Sequence, residues 1–360
     1  MVVGILGGGQ LARMLALAGY PLGLNFIVLD PAPDVCAAPV AEHMQGDYDD
    51  QALLAELAQQ ADIVTYEFEN VPAQAVAYLA DKVAVYPPPQ ALAAAQDRLN
   101  EKTLFRRLGV DTPDFVAVNS LEELQQAMDQ VGWPAVVKTR TQGYDGKGQA
   151  ILKRPDDLAP AWQSLGGVPA IVEAFVPFAR EVSIIAVRST TAEVVCYPLT
   201  ENSHRDGVLR LSIARPDDPM QGQAASYAAR LMKELDYVGV LALELFQADN
   251  RLLANEFAPR VHNSGHWTQD GAATCQFENH LRAVLGLPLG STDAVGHSAM
   301  VNLVGTIPAQ ADVLVNSHAH LHLYGKAPRP GRKVGHINLC AESRAALEAG
   351  LKRVLALAGE

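Results

Sequence analysis

Short apolar runs and amphipathic stretches take turns along the first ninety residues. Val2 to Leu6, Asn25 to Leu29 and Asp62 to Phe68 read as strands, and apolar residues at helical spacing fill about Gln10 to Leu17 and Gln51 to Gln60. Strands alternating with helices imply a parallel sheet covered on both faces. Pro87-Pro88-Pro89 ends this rhythm and marks a boundary or hinge. A helical stretch follows from Gln90 to Leu108, with Gly109 as its stop. The next segment is mixed and reads as a small lid. It holds a strand Phe115 to Val118, a helix Leu121 to Val131 opened by Ser120, and strands Ala135 to Lys138, Gln149 to Lys153 and Ala170 to Glu173. From Glu181 the runs lengthen: Val182 to Val187, Val194 to Tyr197, Val240 to Phe246 and Leu252 to Phe257, with a helix near Gln223 to Leu235, predict an antiparallel sheet with helices. Beyond about Leu287 come strands Ala299 to Val304 and Ala319 to Tyr324 and a closing helix Ser343 to Leu357. The expected fold class is therefore α/β followed by α+β, divided at 1–97, 98–180, 181–287 and 288–360.

Composition narrows the class without changing that outline. With 49% hydrophobic and 19% charged residues over 360 positions, and no apolar run of about 18, the chain is expected to be globular with several cores rather than membrane-spanning or disordered. No basic leader with a cleavage pattern precedes the first strand, so a cytoplasmic location is expected. Cys36, Cys196, Cys275 and Cys340 lack any CxxC spacing, which suggests neither zinc nor a disulfide framework. A net charge of −12 argues against nonspecific nucleic-acid binding. Any anionic ligand must be met by local cations.

The most telling such place is the glycine-rich linker Gly143-Tyr144-Asp145-Gly146-Lys147-Gly148-Gln149, set between two strand-like runs and preceded by Lys138. Glycines allow close backbone approach and amides that point at phosphate oxygens, and a lysine ending the preceding strand reaches the same region. Gly148 follows Lys147 where a Walker loop carries Ser or Thr, so this is a different phosphate loop, or else a plain hairpin turn.

A second signal is acidic. Glu244 and Glu256 sit in two strands around Asp249-Asn250-Arg251, and a hairpin centred on Asn250 pairs residues whose numbers sum to 500, which puts the two glutamates opposite each other. Like charges so opposed repel. A divalent cation between them reverses the sign, and oxygen ligands with room for phosphate and water suit magnesium. The alternative is a solvated face. Strict alternation turns Asn255 to the other side.

Two further patterns compete for attention. Gly7-Gly8-Gly9-Gln10-Leu11-Ala12 follows a strand and opens a helix, and Asp30 ends the next strand, which nearly satisfies a dinucleotide fingerprint and raises an NAD-dependent oxidoreductase as a rival from another class. Such an enzyme has no use for the loop at 143 or the acidic pair. His318, His320 and His322 alternate on one strand face, but no neighbouring carboxylate or cysteine completes a zinc set, which favours packing roles.

Taken with the glycine loop, the acidic strand pair followed by Ala258-Pro259-Arg260 resembles an ATP-grasp enzyme. More closely, Glu256-Phe257-Ala258-Pro259-Arg260-Val261-His262-Asn263-Ser264-Gly265-His266-Trp267-Thr268 and Arg329-Pro330-Gly331-Arg332-Lys333-Val334-Gly335-His336 resemble the 5-(carboxyamino)imidazole ribonucleotide synthetases of purine biosynthesis. The likeness runs from residue 4 to about 340. It implies an ATP-grasp fold behind a Rossmann-like N-terminal domain, and a homodimer. The implied reaction takes ATP, magnesium, bicarbonate and aminoimidazole ribonucleotide to the carboxyamino product, ADP and phosphate.

Position by position, the resemblance implies that Arg98 and Lys138 lie near the ATP phosphates, with Gly143 to Gln149 as a flexible cover. Glu173-Ala174-Phe175-Val176 would read adenine, Glu181 the ribose, and His204 would be a further nucleotide contact. Asn255 and Glu256 fall at the phosphate and metal end, with Glu244 as the other magnesium ligand. Gln10, Glu67, Tyr144, Asp145, Lys147, Lys326 and Arg332 match ribonucleotide contacts. Lys147 stands where many relatives carry Arg, which makes it a point charge rather than a fork. Arg260, His262 and Asn263 are assigned to the carboxyl-transfer centre, where a forked donor suits a planar carboxylate; whether His262 donates or relays a proton is open. Taken singly, each has a blander reading: Arg98 and Lys102 as a solvated helix face, His204 as a loop histidine, Lys326 and Arg332 as a basic surface loop. A sibling ATP-grasp enzyme, such as formate-dependent glycinamide ribonucleotide transformylase, is the runner-up. A catalytically dead nucleotide-binding regulator fits less well, because the acidic and basic sets are intact.

Overall fold

A computed structural model describes residues 1–141, 143 and 148–360. Four short strands open the chain: β1 (Val2–Leu6), β2 (Asn25–Asp30), β3 (Glu42–Gln45) and β4 (Ile63–Tyr66), parallel in the order β3-β2-β1-β4. Alternation along β2 explains its two covered faces. Phe26 and Val28 pack with the helix Gln10–Gly19, while Ile27 and Leu29 pack with the helices Gln51–Gln60 and Ala73–Ala80. β3 and the helix Ala73–Ala80 were not legible in the hydrophobic pattern.

The expected single helix from Gln90 to Leu108 is two, Pro89–Ala95 and Arg98–Arg107. Asp97 divides them. Its Oδ1 accepts from the amides of Leu99 and Asn100 at 2.8 and 3.4 Å, starting a new helix. Gly109, at φ +64, stops it as expected.

The lid is a second sheet, antiparallel, of β5 (Phe115–Val118), β6 (Ala135–Thr139), β7 (Gln149–Leu152) and β8 (Ala170–Ala174) in the order β5-β8-β6-β7. Ser120 caps its helix Leu121–Val131 through the Glu123 amide at 3.2 Å. The linker with Tyr144, Asp145, Gly146 and Lys147 lies outside the described residues.

All remaining strands join one antiparallel sheet: β9 (Arg180–Arg188), β10 (Val194–Cys196), β11 (Leu199–Arg205), β12 (Val208–Arg215), β13 (Gly239–Ala248), β14 (Arg251–Ala258), β15 (His297–Val304), β16 (Ala319–Leu323) and β17 (Lys333–Ala341). The order is β14-β13-β9-β11-β12-β15-β17-β16, with β10 paired to β9. The strands beyond Leu287 thus continue the central sheet, through β12 against β15. The helix Gln276–Val284 connects this sheet to the N-terminal unit, because Phe277 and Leu281 share one apolar cluster with Leu11, Leu15 and Val28. His280 adds a polar strut, with Nδ1 accepting from the Val240 amide at 3.1 Å and Nε2 meeting Thr65 Oγ1 at 2.9 Å.

Candidate active site

The three units enclose one cleft of about 1480 Å³. Every described residue assigned above to ATP, metal, ribonucleotide or carboxyl transfer lines it except Gly148, from Gln10 and Glu67 on one side to Glu173 and Glu181 on the other.

At the β13–β14 hairpin the register is Ala242↔Ala258, Leu243↔Phe257 and Glu244↔Glu256, then Leu245↔Ala254. The facing glutamates sit as the spacing predicts. The slip that follows leaves Asn255 as the extra residue of a β-bulge, which re-aims a side chain that strict alternation turns away. Its Oδ1 accepts from Lys138 Nζ at 3.4 Å and it lines the cleft. Burial, and then repulsion from Glu256, push Glu244 up to about 7. Burial opposes charge on Glu256 too, but Arg98 at 2.8 Å outweighs it and lowers that carboxyl. Arg98 Nη2 also reaches the Gly143 carbonyl at 3.4 Å.

Two hard carboxylates side by side on a buried strand pair suit a magnesium ion shared with phosphate oxygens. Among the described residues no group of three or more His, Cys, Asp or Glu is arranged to hold a metal ion. An ion held by this pair would need phosphate and water as its remaining ligands.

Lys138, on β6, is tied to Glu173 at 3.2 Å, and Lys102 meets the same oxygen at 3.3 Å. Burial disfavours the charge of Glu173, yet these two ammonium groups prevail and hold its carboxyl down at about 2. Lys102 therefore supports the site from behind, through Glu173. The sequence showed it only as one turn from Arg98. Along Ala174-Phe175-Val176, the first two amides donate to the carbonyls of Asp114 and Pro134 at 2.8 and 3.1 Å, while the Val176 amide has no protein acceptor among the described residues. Glu181 Oε2 lies 2.8 Å from His204 Nδ1.

Where β14 ends, Arg260 pairs through Nε with Glu69 and through Nη1 with the Val261 carbonyl at 3.0 Å. Nη2 keeps no protein acceptor among the described residues. Burial opposes charge on Glu69, but Arg260 holds its carboxyl at about 2. Glu69 lies two residues beyond Glu67, and a strand continued to Phe68 would put both glutamates on one face. In the structure β4 ends at Tyr66 and the two glutamates do different work. Asn263 and Asn302 exchange amide hydrogen bonds of 3.1 and 2.6 Å. Burial and then Arg260 depress His262 to about 3, so its ring is neutral.

The glycine turn beside β1 has its own occupants. Glu67 accepts from the amides of Gly9, Leu11 and Ala12, the last two at 3.0 Å each, and Asp30 accepts from Gly8 at 2.8 Å. The donors a dinucleotide pyrophosphate needs are filled by carboxylates of the chain itself. Lys326 crosses to Gln10 Oε1 at 2.5 Å, and Arg332 donates to the Ala327 carbonyl at 3.3 Å. His322 and His320 reach Asp270 at 2.7 and 3.5 Å, so a carboxylate does approach that strand, from a distant part of the sequence.

Three domain families match in chain order, the second covering the lid and most of the central sheet and the third the last strands of that sheet. A ribonucleotide synthetase preATP-grasp domain matches residues 1–96, an ATP-grasp domain 103–277, and a phosphoribosylaminoimidazole carboxylase C-terminal domain 298–350. An N5-carboxyaminoimidazole ribonucleotide synthase from Pseudomonas aeruginosa is 55% identical over 99% of both chains. The chain belongs to the N5-carboxyaminoimidazole ribonucleotide synthase family. The family's enzyme from Bacillus subtilis is 40% identical over 93% of this chain and 90% of its own. A crystal structure of the synthetase from Thermus thermophilus superposes with a TM-score of 0.95, at 56% identity over 99% of each chain. That of the Aspergillus clavatus synthase, in complex with ADP and 5-aminoimidazole ribonucleotide, superposes at 0.91 with 30% identity, over 99% of this chain and 98% of that one. Among the described residues no helix is long and apolar enough to cross a membrane.

Proposed function

We propose that the cleft carries out ATP- and bicarbonate-dependent carboxylation of 5-aminoimidazole ribonucleotide, giving 5-(carboxyamino)imidazole ribonucleotide, ADP and phosphate. The observation that carries this reading is that one cleft joins two chemically distinct ends. At one end are the carboxylate hairpin and Lys138, and at the other Gln10, Lys326 and Arg332.

A bicarbonate oxygen attacks the γ-phosphorus of ATP as the bond to ADP breaks. The carboxyl carbon so activated, as the mixed anhydride or as the carbon dioxide it releases, is attacked by the ribonucleotide amine, which loses a proton while phosphate leaves. Glu244 and Glu256 would hold magnesium, which neutralises phosphate charge as ADP departs. Arg98 and Lys138 bind phosphate oxygens, and Asn255, turned inward by its bulge, steadies that end. The Val176 amide offers adenine a donor, and Glu181 takes the ribose with His204 beside it. Arg260, held by Glu69, presents Nη2 to the carboxylate of bicarbonate or the anhydride, and Asn263 adds a second donor. Gln10, Lys326 and Arg332 face the ribonucleotide, along with Glu67 and the positions Tyr144, Asp145 and Lys147 of the linker. Gly143 to Gln149 cover the phosphates. Cytoplasmic location and a homodimer belong to the same reading.

The test is ADP release with each component omitted in turn. ADP formation that needs both the ribonucleotide and bicarbonate supports the assignment. ADP formation unaffected by omitting the ribonucleotide, or replaced by dependence on formate and glycinamide ribonucleotide, overturns it.

A further inference from the structure

Behind Glu244 a file of buried polar side chains crosses three adjacent strands. Ser212 on β12 donates to Asn202 Oδ1 on β11 at 2.8 Å, and Asn202 Nδ2 donates to Ser183 Oγ on β9 at 2.9 Å. Ser183 Oγ donates to Ser264 Oγ at 2.7 Å, which lies 2.9 Å from His262 Nδ1. His262 Nε2 then lies 3.2 Å from Glu244 Oε1. Ser183, Ser212 and Ser264 are fully buried and Asn202 nearly so. Apolar residues would pack such a sheet face at no polar cost, whereas a half-satisfied row is expensive.

The row has a direction, and one bond sets it. The Ser264 amide donates to His262 Nδ1 at 3.3 Å, and an amide N–H can only donate, so Nδ1 carries a lone pair. In the neutral ring the proton then belongs to Nε2, where it faces Glu244. Ser264 Oγ, already accepting from Ser183, spends its single proton on Nδ1. Reversing the Asn202 amide would reverse every hydroxyl and set the lone pairs of Ser264 Oγ against that of Nδ1.

We propose that Ser264, Ser183, Asn202 and Ser212 are positioning residues that hold His262 as its Nε2–H tautomer, so that the ring donates to Glu244 and keeps that carboxylate turned into the cleft. The inference rests on the role of Glu244 at the phosphate end. It makes His262 a fixed donor, because both ring nitrogens are engaged. Outer partners that orient a ligand in this way typically matter by 10- to 100-fold in metal affinity or activity.

The experiment is long-range ¹H–¹⁵N correlation on histidine-labelled enzyme without nucleotide or magnesium at neutral pH, with His262 assigned by its loss in His262→Gln. The expected signature is a bare Nδ1 and a protonated Nε2. Ser264→Ala and Ser183→Ala should mix the tautomers and raise the magnesium needed for half-maximal rate by roughly 10-fold or more. Ser298→Ala, which removes a buried hydroxyl outside the row, should change neither. A protonated Nδ1 in the unmodified enzyme overturns the proposal, as do serine variants with unchanged tautomer and magnesium requirement. If Ser264→Ala does not fold, the unmodified spectrum and Ser183→Ala decide. Near-normal turnover of Glu244→Gln would remove the metal role while leaving the tautomer standing. A protonated Nδ1 in an enzyme that Glu244→Gln inactivates would remove the file alone.

Discussion

The glycine turn at Gly7–Gly9 and the hairpin at Glu244–Glu256 line the same cleft, and they leave opposite things unfinished. In the turn, backbone donors that advertise an anion site are filled by Glu67 and Asp30. At the hairpin, two carboxylates face each other with Arg98 paired to Glu256 alone, and Glu244 sits near 7 because burial and Glu256 disfavour its charge. A motif shows what a backbone offers, but only the three-dimensional neighbours show whether the offer is already taken. The turn is closed by its own chain, while the hairpin presents its paired carboxylates to the cleft.

The comparison breaks first at the hairpin. Glu244→Gln or Glu256→Gln should each lower turnover by at least about 10²-fold, since on the proposed reading each removes charge that would hold magnesium against the phosphates. Steady-state ADP release at saturating magnesium measures it. Turnover close to that of the unmodified enzyme in both variants would mean that the facing pair is structural.

Arg260→Ala should follow, at about 10²-fold in kcat with the ATP KM little changed, because Nη2 meets charge that develops on the carboxyl group rather than on ATP. Equal loss of ATP affinity and turnover, with the bicarbonate response unaltered, would move Arg260 out of the transfer centre. Arg260→Lys should not restore activity, since an ammonium cannot hold Glu69 and a ligand carboxylate in one plane.

Legibility followed the same division. The pairing Glu244↔Glu256 agrees with a hairpin centred on Asn250, but by way of the bulge: from Ala248↔Arg251 to Leu245↔Ala254 the partners sum to 499, and only the extra residue Asn255 brings Glu244 opposite Glu256. Asn255 escaped because a bulge adds a residue that no alternation rule announces. β11 and β12 were missed too. On β11 Thr200 and Asn202 are buried polar residues, Asn202 satisfied by Ser212 of β12, so apolar alternation is absent there, whereas β12 does alternate, at Leu209, Leu211 and Ile213. Glu69 and Lys102 carry no local signal either, since each draws its role from a partner far along the chain: Arg260 for one and Glu173 for the other. In the N-terminal sheet β1, β2 and β4 were plain by contrast, because they are buried between layers and read as continuous apolar runs.

Glu173 gives a pH signature for the lysine side. Its folded value of about 2 lies below the ordinary carboxylate value of 4.5, so the stability it contributes is fully present above that value and is lost as pH falls toward 2. Glu173→Gln should therefore cost on the order of 2–3 kcal/mol near neutrality, with the gap to the unmodified enzyme narrowing below about pH 4.5. Urea unfolding from pH 6 to about 3.5 reads it. A gap that stays constant through that window would mean that Lys102 and Lys138 do not set the ionisation of this carboxyl.

The smallest effect, and the sharpest for the comparison, comes from emptying the glycine turn. Glu67→Ala removes the acceptor for the amides of Gly9, Leu11 and Ala12 at the start of the helix Gln10–Gly19, and each buried donor left unpaired costs about 1–3 kcal/mol unless water replaces the carboxylate. With water admitted from the cleft, a net loss of about 1–2 kcal/mol is expected. The vacated helix end then has what it lacked before: free amides, a favourable dipole, and Lys326 nearby on Gln10. Inorganic sulfate should stabilise the variant in proportion to RT ln(1 + [L]/Kd) while leaving the unmodified protein nearly unchanged at the same ionic strength set with chloride. Thermal unfolding in a sulfate series, with and without the substitution, measures both halves. Equal stabilisation of the two proteins would mean that Glu67 does not occupy an anion site, and that the contrast between a filled turn and an unfinished hairpin is wrong at its first term.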